Sequence, residues 1–291
     1  MHLRPSTVIR RLARTPTATM PRTTSPQPPF RASSGFTKTA PPDPSWNVGS
    51  GASTRSTESP RTLAIDPYSP SRSASDNYRL LVSGIIPRPI GFVSTVGADG
   101  SANLAPFSYL SLANHDPPIF TLGFSSGMGA DKDTARQLLE TAECTINIVS
   151  EEFVAAANYT AIDAPAGVSE WALSGLTPQR SDVVAPPRVG EAVFAVEARL
   201  VASHEWTSRT SGRKTGTTAI VEGVRFHVRE DALTENGALD PAVLRPVSRL
   251  GGVSYGRTTE AYDLPRPRWA DEKEKPEVRR ALGLDAEGEQ E

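Results

Sequence analysis

The chain has 291 residues, 31 Lys and Arg against 33 Asp and Glu, a net charge of −2 and 37% hydrophobic residues. So balanced a charge gives no field that would recruit nucleic acid nonspecifically, and no apolar stretch approaches the roughly 20 residues needed to span a bilayer. One cysteine and four scattered histidines exclude a disulfide framework and leave no zinc-ligand pattern, so the expectation is a soluble protein that handles small molecules.

Residues 1–75 hold 12 of the 26 prolines and 24 serines or threonines with little apolar periodicity, the composition of a largely disordered extension. Before Asp43 there are seven lysines and arginines and no acidic residue, and Val8-Ile-Arg-Arg-Leu-Ala-Arg can form a short basic amphipathic helix. Basic, hydroxyl-rich and acid-free is the composition of a mitochondrial presequence, although a generic extension fits as well and a start at Met20 would omit the basic helix. The location expected is therefore mitochondrial or cytoplasmic. The folded domain is expected over 76–269, long enough for a single core, followed by a charged tail at 270–291 with a short exposed helix.

The first strand is expected over 89–96, where Ile90, Phe92, Ser94 and Val96 share one face and Gly91, Val93 and Thr95 the other. Ala98-Asp99-Gly100-Ser101 is a tight-turn sequence and predicts a hairpin into a second strand at 102–105. There Asn103 offers an amide, while Pro106 lacks an N–H and holds Ala105 extended. His115-Asp116 before two prolines is an acid/base pair by type, but a turn in which Asp116 accepts backbone N–H groups explains it better. A strand at 118–124 follows.

From Asp131 the chain reads DKDTARQLLETAE, with Ala135, Leu138, Leu139 and Ala142 on one stripe, and predicts a helix over 131–142. Asp131 is the expected N-cap, which leaves the free N–H groups of the first turn at Lys132, Asp133 and Thr134. An anion there would meet the positive end of the helix, the Lys132 ammonium and the Thr134 hydroxyl together. Strands are expected at 143–149, 191–206 and 216–229, a helix at 151–158, and a polar loop between the last two strands. Cys144 shares a face with Ile146 and Ile148 and reads as a buried structural thiol. Many strands and few helices fit a closed, mainly β sheet better than a layered α/β fold. Gly212-Arg-Lys-Thr lacks the spacing of a phosphate loop, and no GxGxxG opens a helix, so a separate nicotinamide-binding domain is not expected.

Taken in order, PRPIGFVST, NLAPFSY, DPP, KDT, Cys144-Thr-Ile-Asn-Ile-Val-Ser-Glu-Glu, Gly175-Leu-Thr-Pro, Leu244-Arg-Pro and Leu250-Gly-Gly-Val-Ser-Tyr resemble the flavin reductase-like proteins, the group that includes flavoredoxin. The resemblance covers roughly Tyr78 to Trp269 and implies an FMN-binding split β-barrel with a few inserted and flanking helices. It implies that the FMN phosphate is held by Ser94 or Thr95 together with Lys132, Asp133 and Thr134 of the KDT turn. The isoalloxazine ring would rest against Asn103, Leu104, Ala105, Pro106, Phe107 and Ser108. Arg88 would lie near the same pocket or stand as a surface cation between two prolines. Where relatives often carry an aromatic and an asparagine, this chain has Leu110 and Ser111, and Ser111 is the residue at the contact position.

The implied activity is reduction of FMN by NADH or NADPH through direct hydride transfer, in a homodimer. No catalytic side chain is required, because the cofactor performs the hard step and the protein positions it. Reduced FMN would serve a monooxygenase or another electron acceptor. An FMN-containing electron carrier, an oxygen-reacting flavoprotein and a non-catalytic flavin-binding module are the alternatives, since one barrel supports all of them.

Overall fold

The computed structural model describes residues 28–32, 35–52, 61–125, 132–165 and 167–284. The chain divides after Ser34. In the first unit the described residues 28–32 have no regular secondary structure and are exposed; the presequence reading, which rests mainly on residues 1–27, lies outside the described residues. Everything below belongs to the unit Gly35–Glu291.

Seven strands make the main sheet: β1 (Gly91–Val96), β2 (Ala102–Phe107), β3 (Leu110–His115), β4 (Pro118–Ser125), β5 (Glu143–Ile148), β6 (Phe194–Thr207) and β7 (Lys214–Val228). Their order is β2-β1-β5-β6-β7-β4-β3, and every pairing is antiparallel. The two edge strands, β2 and β3, are consecutive in the chain with Ser108 and Tyr109 alone between them. Two residues reach only about 10 Å, so a sheet whose opposite edges are joined this closely must curl into a barrel. Gly91 shows the closure directly: a Cβ there would stand 3.2 Å from Leu110 Cδ2, on the far edge strand.

The hairpin from β1 to β2 follows the turn chemistry of its sequence. Gly100 takes φ +80°, its N–H donates to Gly97 O at 2.9 Å, and Asp99 Oδ1 accepts from Ser101 N–H at 2.9 Å. Pro106 is tolerated inside β2 because β2 is an edge strand and needs no donor on its outer side.

Side chains from all seven strands fill the barrel, among them Val93, Phe107, Leu110, Leu122, Phe124, Cys144, Ile146, Val196, Ala198, Ala219 and Val221. The helix α2 (Asp133–Thr141) adds Ala135 and Leu138 to that core. A second core lies on the outer side of β1 and β2, where Ile90, Phe92 and Leu104 meet Phe153 of a 3₁₀ turn and Ala157 and Trp171 of the helices α3 (Val154–Tyr159) and α4 (Glu170–Ser174). β1 is thus covered on both faces, and its first five residues are all buried.

The expected strands at 102–105, 118–124, 143–149, 191–206 and 216–229 appear with ends shifted by a few residues. The stretch expected at 89–96 is divided, because Arg88–Pro89 pairs instead with Val247–Arg249 in a three-stranded sheet completed by Tyr255–Arg257. The expected helix at 151–158 begins as a 3₁₀ turn, Glu151–Phe153, before α3. Asp131, the expected cap of α2, lies outside the described residues; the N-cap position is Lys132. The turn at Asp116-Pro117 is present, but the bond across it is Asn114 Nδ2 donating to Pro117 O at 2.9 Å rather than one made by Asp116.

Two elements precede the expected start of the domain at residue 76. Thr37–Thr39 forms a parallel pair with Glu260–Tyr262, a strand held by backbone bonds that need no apolar periodicity. Helix α1 spans Ala74–Gly84, with Ser73 and Asp76 making a reciprocal capping box. In the tail, Trp269–Glu272 and Pro276–Ala281 are short helices, the second anchored by buried Val278. No helix among the described residues is long and apolar enough to cross a membrane.

Candidate functional site

The site forms where α2 meets β2. A cleft of about 500 Å³ is lined by Asn103, Ala105, Pro106 and Phe107 of β2, by Lys132, Asp133 and Thr134 at the start of α2, by residues 160–164 and by Glu170. That size falls within the range usual for small-molecule sites. Seven residues singled out in the sequence are thereby brought together from segments about thirty positions apart.

Two side-chain bonds from neighbouring strands set the direction of α2. Thr95 and Asn103 are cross-strand partners. Asn103 Nδ2 donates to Thr134 Oγ1 at 2.6 Å, and Thr95 Oγ1 donates to Gln137 Oε1 at 2.7 Å. Gln137 Nε2 in turn donates to the backbone O and the hydroxyl of Ser101, both at 3.1 Å. The first turn of α2 receives no side-chain cap from Lys132, and Lys132, Asp133 and Thr134 all line the cleft. Thr134 is 1% exposed, and its hydroxyl oxygen already accepts from Asn103. Its proton is left to donate to an anion. A helix end with a cation and a hydroxyl beside it has the chemistry that suits an anion such as phosphate.

Acidic groups share the cleft. Asp133, Asp163 and Glu170 line it. Burial pushes the Glu170 carboxyl above its ordinary range, and the charge of Asp133 acts in the same direction against hydrogen bonds from backbone N–H groups, that of Leu104 among them. A second cavity of about 330 Å³ adjoins the first and shares Asn103, Asp133 and Glu170 with it.

Six residues expected to contact a ligand do not line this cleft. Ser94 and Thr95 are fully buried; Thr95 is committed to Gln137, while Ser94 shares the outer face of β1 with Phe92 and its hydroxyl has no partner among the described residues. Thr95 lies beneath α2, and Ser94 is enclosed on the opposite face of β1. Leu104 is fully buried in the outer core. Arg88 is not a surface cation: it is 8% exposed, and it donates to Val82 O, to Ile85 O at 2.9 Å and to Leu250 O at 2.8 Å. Ser108 meets only the Arg88 Nε, at 3.4 Å. Ser111 is exposed on β3, its hydroxyl 3.4 Å from Leu112 O.

Residues 160–164 and Glu170 were not anticipated. The signals available were weak: a Pro- and Gly-containing loop after α3, and Ser169 as a cap, which accepts from Ala172 N–H at 3.3 Å. Away from the cleft, Asp182, Glu197 and His227 each bring a ligand atom within 4.8 Å of the others. The Glu197 carboxylate is already filled. It accepts from the N–H groups of Asp182 (2.7 Å), Val183 (2.6 Å) and Val184 (3.0 Å) and lies 2.5 Å from His227 Nε2. That saturation makes it a structural tie for the 182–184 loop rather than a metal centre.

The fold is that of a split-barrel protein, with a cleft where the start of α2 meets β2. Residues 83–245 match the flavin reductase like domain, and the chain belongs to the flavin reductase-like family. An uncharacterized protein of Halalkalibacterium halodurans is 36% identical over 73% of this chain and 100% of its own length. Among solved structures, nitrilotriacetate monooxygenase component B from Bacillus cereus is 36% identical over 71% of this chain and 100% of its own, with a TM-score of 0.67. The 2-nitrobenzoate 2-nitroreductase of Pseudomonas fluorescens is 26% identical over 68% of this chain and 93% of its own, with a TM-score of 0.60. Family and fold identify the chain as a flavin reductase-like flavoprotein of oxidoreductase type.

Proposed function

We propose that the cleft binds FMN and that the protein is an NADH- or NADPH-dependent FMN reductase. The observation that carries this reading is the juxtaposition of Asn103–Phe107 with the uncapped start of α2 in a chain of this family. Lys132, Thr134 and the first amides of α2 would hold the phosphate, and Asn103, Ala105, Pro106 and Phe107 would hold the ring system. Bound flavin supplies a hydride acceptor, which a reduced nicotinamide can reach directly without a catalytic side chain. The protein's own part is positioning: Thr95 and Asn103 fix α2, α2 fixes the phosphate, and β2 offers a wall with little freedom to move.

Likeness to component B of a monooxygenase supports the further reading that the reduced flavin serves a partner oxygenase; the homodimer belongs to the proposal on the sequence resemblance alone. The test uses the purified full chain. Its flavin absorbance near about 450 nm is recorded, and NADH and NADPH are then added anaerobically. Rapid bleaching identifies a reductase and its donor. Bound flavin that does not bleach would favour an electron carrier or flavin-binding module, and a chain that takes up no flavin would overturn the reading.

A further inference from the structure

The two cavities beside α2 are joined at three residues, Asn103, Asp133 and Glu170, of which two carry carboxylates. The cationic side differs between them. Lys132 lines only the larger cavity. Arg136 lines only the smaller one, and its guanidinium is already held 3.0 Å from Asp133 Oδ1 and 3.7 Å from Glu140 Oε2. Asp133, Asp163 and Glu170 line the larger cavity as well, so an anion there is favoured only beside Lys132 and the start of α2; at the junction Lys132 is absent, Asp133 is already paired with Arg136, and among the described residues Glu170 is the carboxylate without a cation beside it.

Glu170 is firmly placed for this effect. Ser169 caps its helix, and the next residue, Trp171, is 7% exposed in the outer core. The backbone of Glu170 is thus held at the edge of both cavities by the cap before it and the core residue after it.

We propose that Glu170, standing with Asp133 at the junction, is a specificity-determining residue that restricts the cleft to a flavin mononucleotide and discriminates against the dinucleotide. The proposal rests on the flavin reading given above. FMN carries all of its phosphate charge on one terminal group, which stays with Lys132 and the start of α2. FAD divides its charge over two phosphates, and the second, with adenosine beyond it, must enter the smaller cavity past Glu170 and Asp133. Like charges brought together in a partly desolvated passage disfavour the wrong ligand.

The test is titration of the full chain and of Glu170→Gln with FMN and FAD, followed by quenching of flavin fluorescence at about pH 8, where an ordinary carboxyl is ionised. The wild type should prefer FMN, and E170Q should raise the ratio of FAD to FMN affinity about tenfold. Raising ionic strength in the wild type should move the same ratio in the same direction, a measurement that does not depend on the variant folding. A ratio that neither salt nor the variant raises would overturn the proposal while leaving flavin binding intact. Failure of the wild type to bind either nucleotide would instead remove the flavin reading on which the proposal stands.

Discussion

Glu197 offers the sharpest test of the packing. Its side chain is fully buried on β6. One carboxylate oxygen accepts from Asp182 N–H and faces His227 Nε2, and the other accepts from the N–H groups of Val183 and Val184. Glu197→Gln keeps the shape but replaces one acceptor oxygen with an NH₂, so whichever way the amide turns at least one backbone donor loses its acceptor. Each buried donor left unmatched costs about 1–3 kcal/mol, and the lost charge-assisted bonds bring the expected destabilisation to about 3 kcal/mol. Equilibrium urea unfolding, read by tryptophan fluorescence, measures it. A loss below about 1 kcal/mol would refute the claim that the carboxylate holds the 182–184 loop.

The same residue fixes a pH dependence. Burial pushes the Glu197 carboxyl up, but the bonds from Asp182 N–H, His227, Val183 N–H and Val184 N–H outweigh it, and the net effect holds the group below its ordinary range. A carboxyl whose folded pKa lies below its unfolded value of about 4.3 stabilises the protein above that pH, and the stabilisation is lost as pH falls through the folded value. The difference in stability between wild type and E197Q should therefore be full at neutral pH and shrink in acid. A difference that stays constant into acid would show that the lost bonds were not carboxylate bonds.

Three further outcomes are expected. Lys132→Ala should raise the Kd for FMN about tenfold and leave riboflavin, which has no phosphate, nearly unaffected; equal losses for both flavins would mean that the phosphate is held elsewhere. Arg88→Lys cannot reproduce the three carbonyl contacts at Val82, Ile85 and Leu250, so it should cost about 1–3 kcal/mol in urea unfolding. Loss of flavin binding in a variant that remains stable would restore Arg88 to the site. Burial raises the Cys144 thiol to about 12, so iodoacetamide should leave it unmodified in the native protein and label it in urea, as mass spectrometry would record.

The sequence was most informative where chemistry is local. Gly100 sits in the turn that Asp99-Gly100 requires, the apolar stripe of α2 enters the barrel through Ala135 and Leu138, and Cys144 is buried with Ile146 as their shared face implies. It was least informative where a face is covered by something distant in the chain. Alternation assigned Ser94 and Thr95 to opposite faces of β1, but it could not say that α2 stands over Thr95 and that Ser94 is fully buried on the other side. β3 was missed for a similar reason. Leu110–His115 has a mixed pattern with only Leu110 buried, and its place is set by closing the barrel against β4 rather than by its own periodicity. Helix α1 was legible from Ser73 and Asp76, yet it lies at the end of a Pro- and Ser-rich stretch whose composition argued against any helix.

The residues that moved between roles show how the barrel makes its site. Thr95 and Asn103 were both expected to touch the ligand, and both are spent at least in part on α2: one on Gln137 in its second turn, the other on Thr134 in its first. A helix end attracts an anion only as well as it is aimed, because the field of its free amides fades within the first turn. Two short bonds from adjacent strands, together with Ala135 and Leu138 in the barrel core, fix that aim more firmly than a surface loop could. Thr95, one of the two hydroxyls that the resemblance implies near a phosphate, thus stands one step back: it holds the helix whose start lines the cleft.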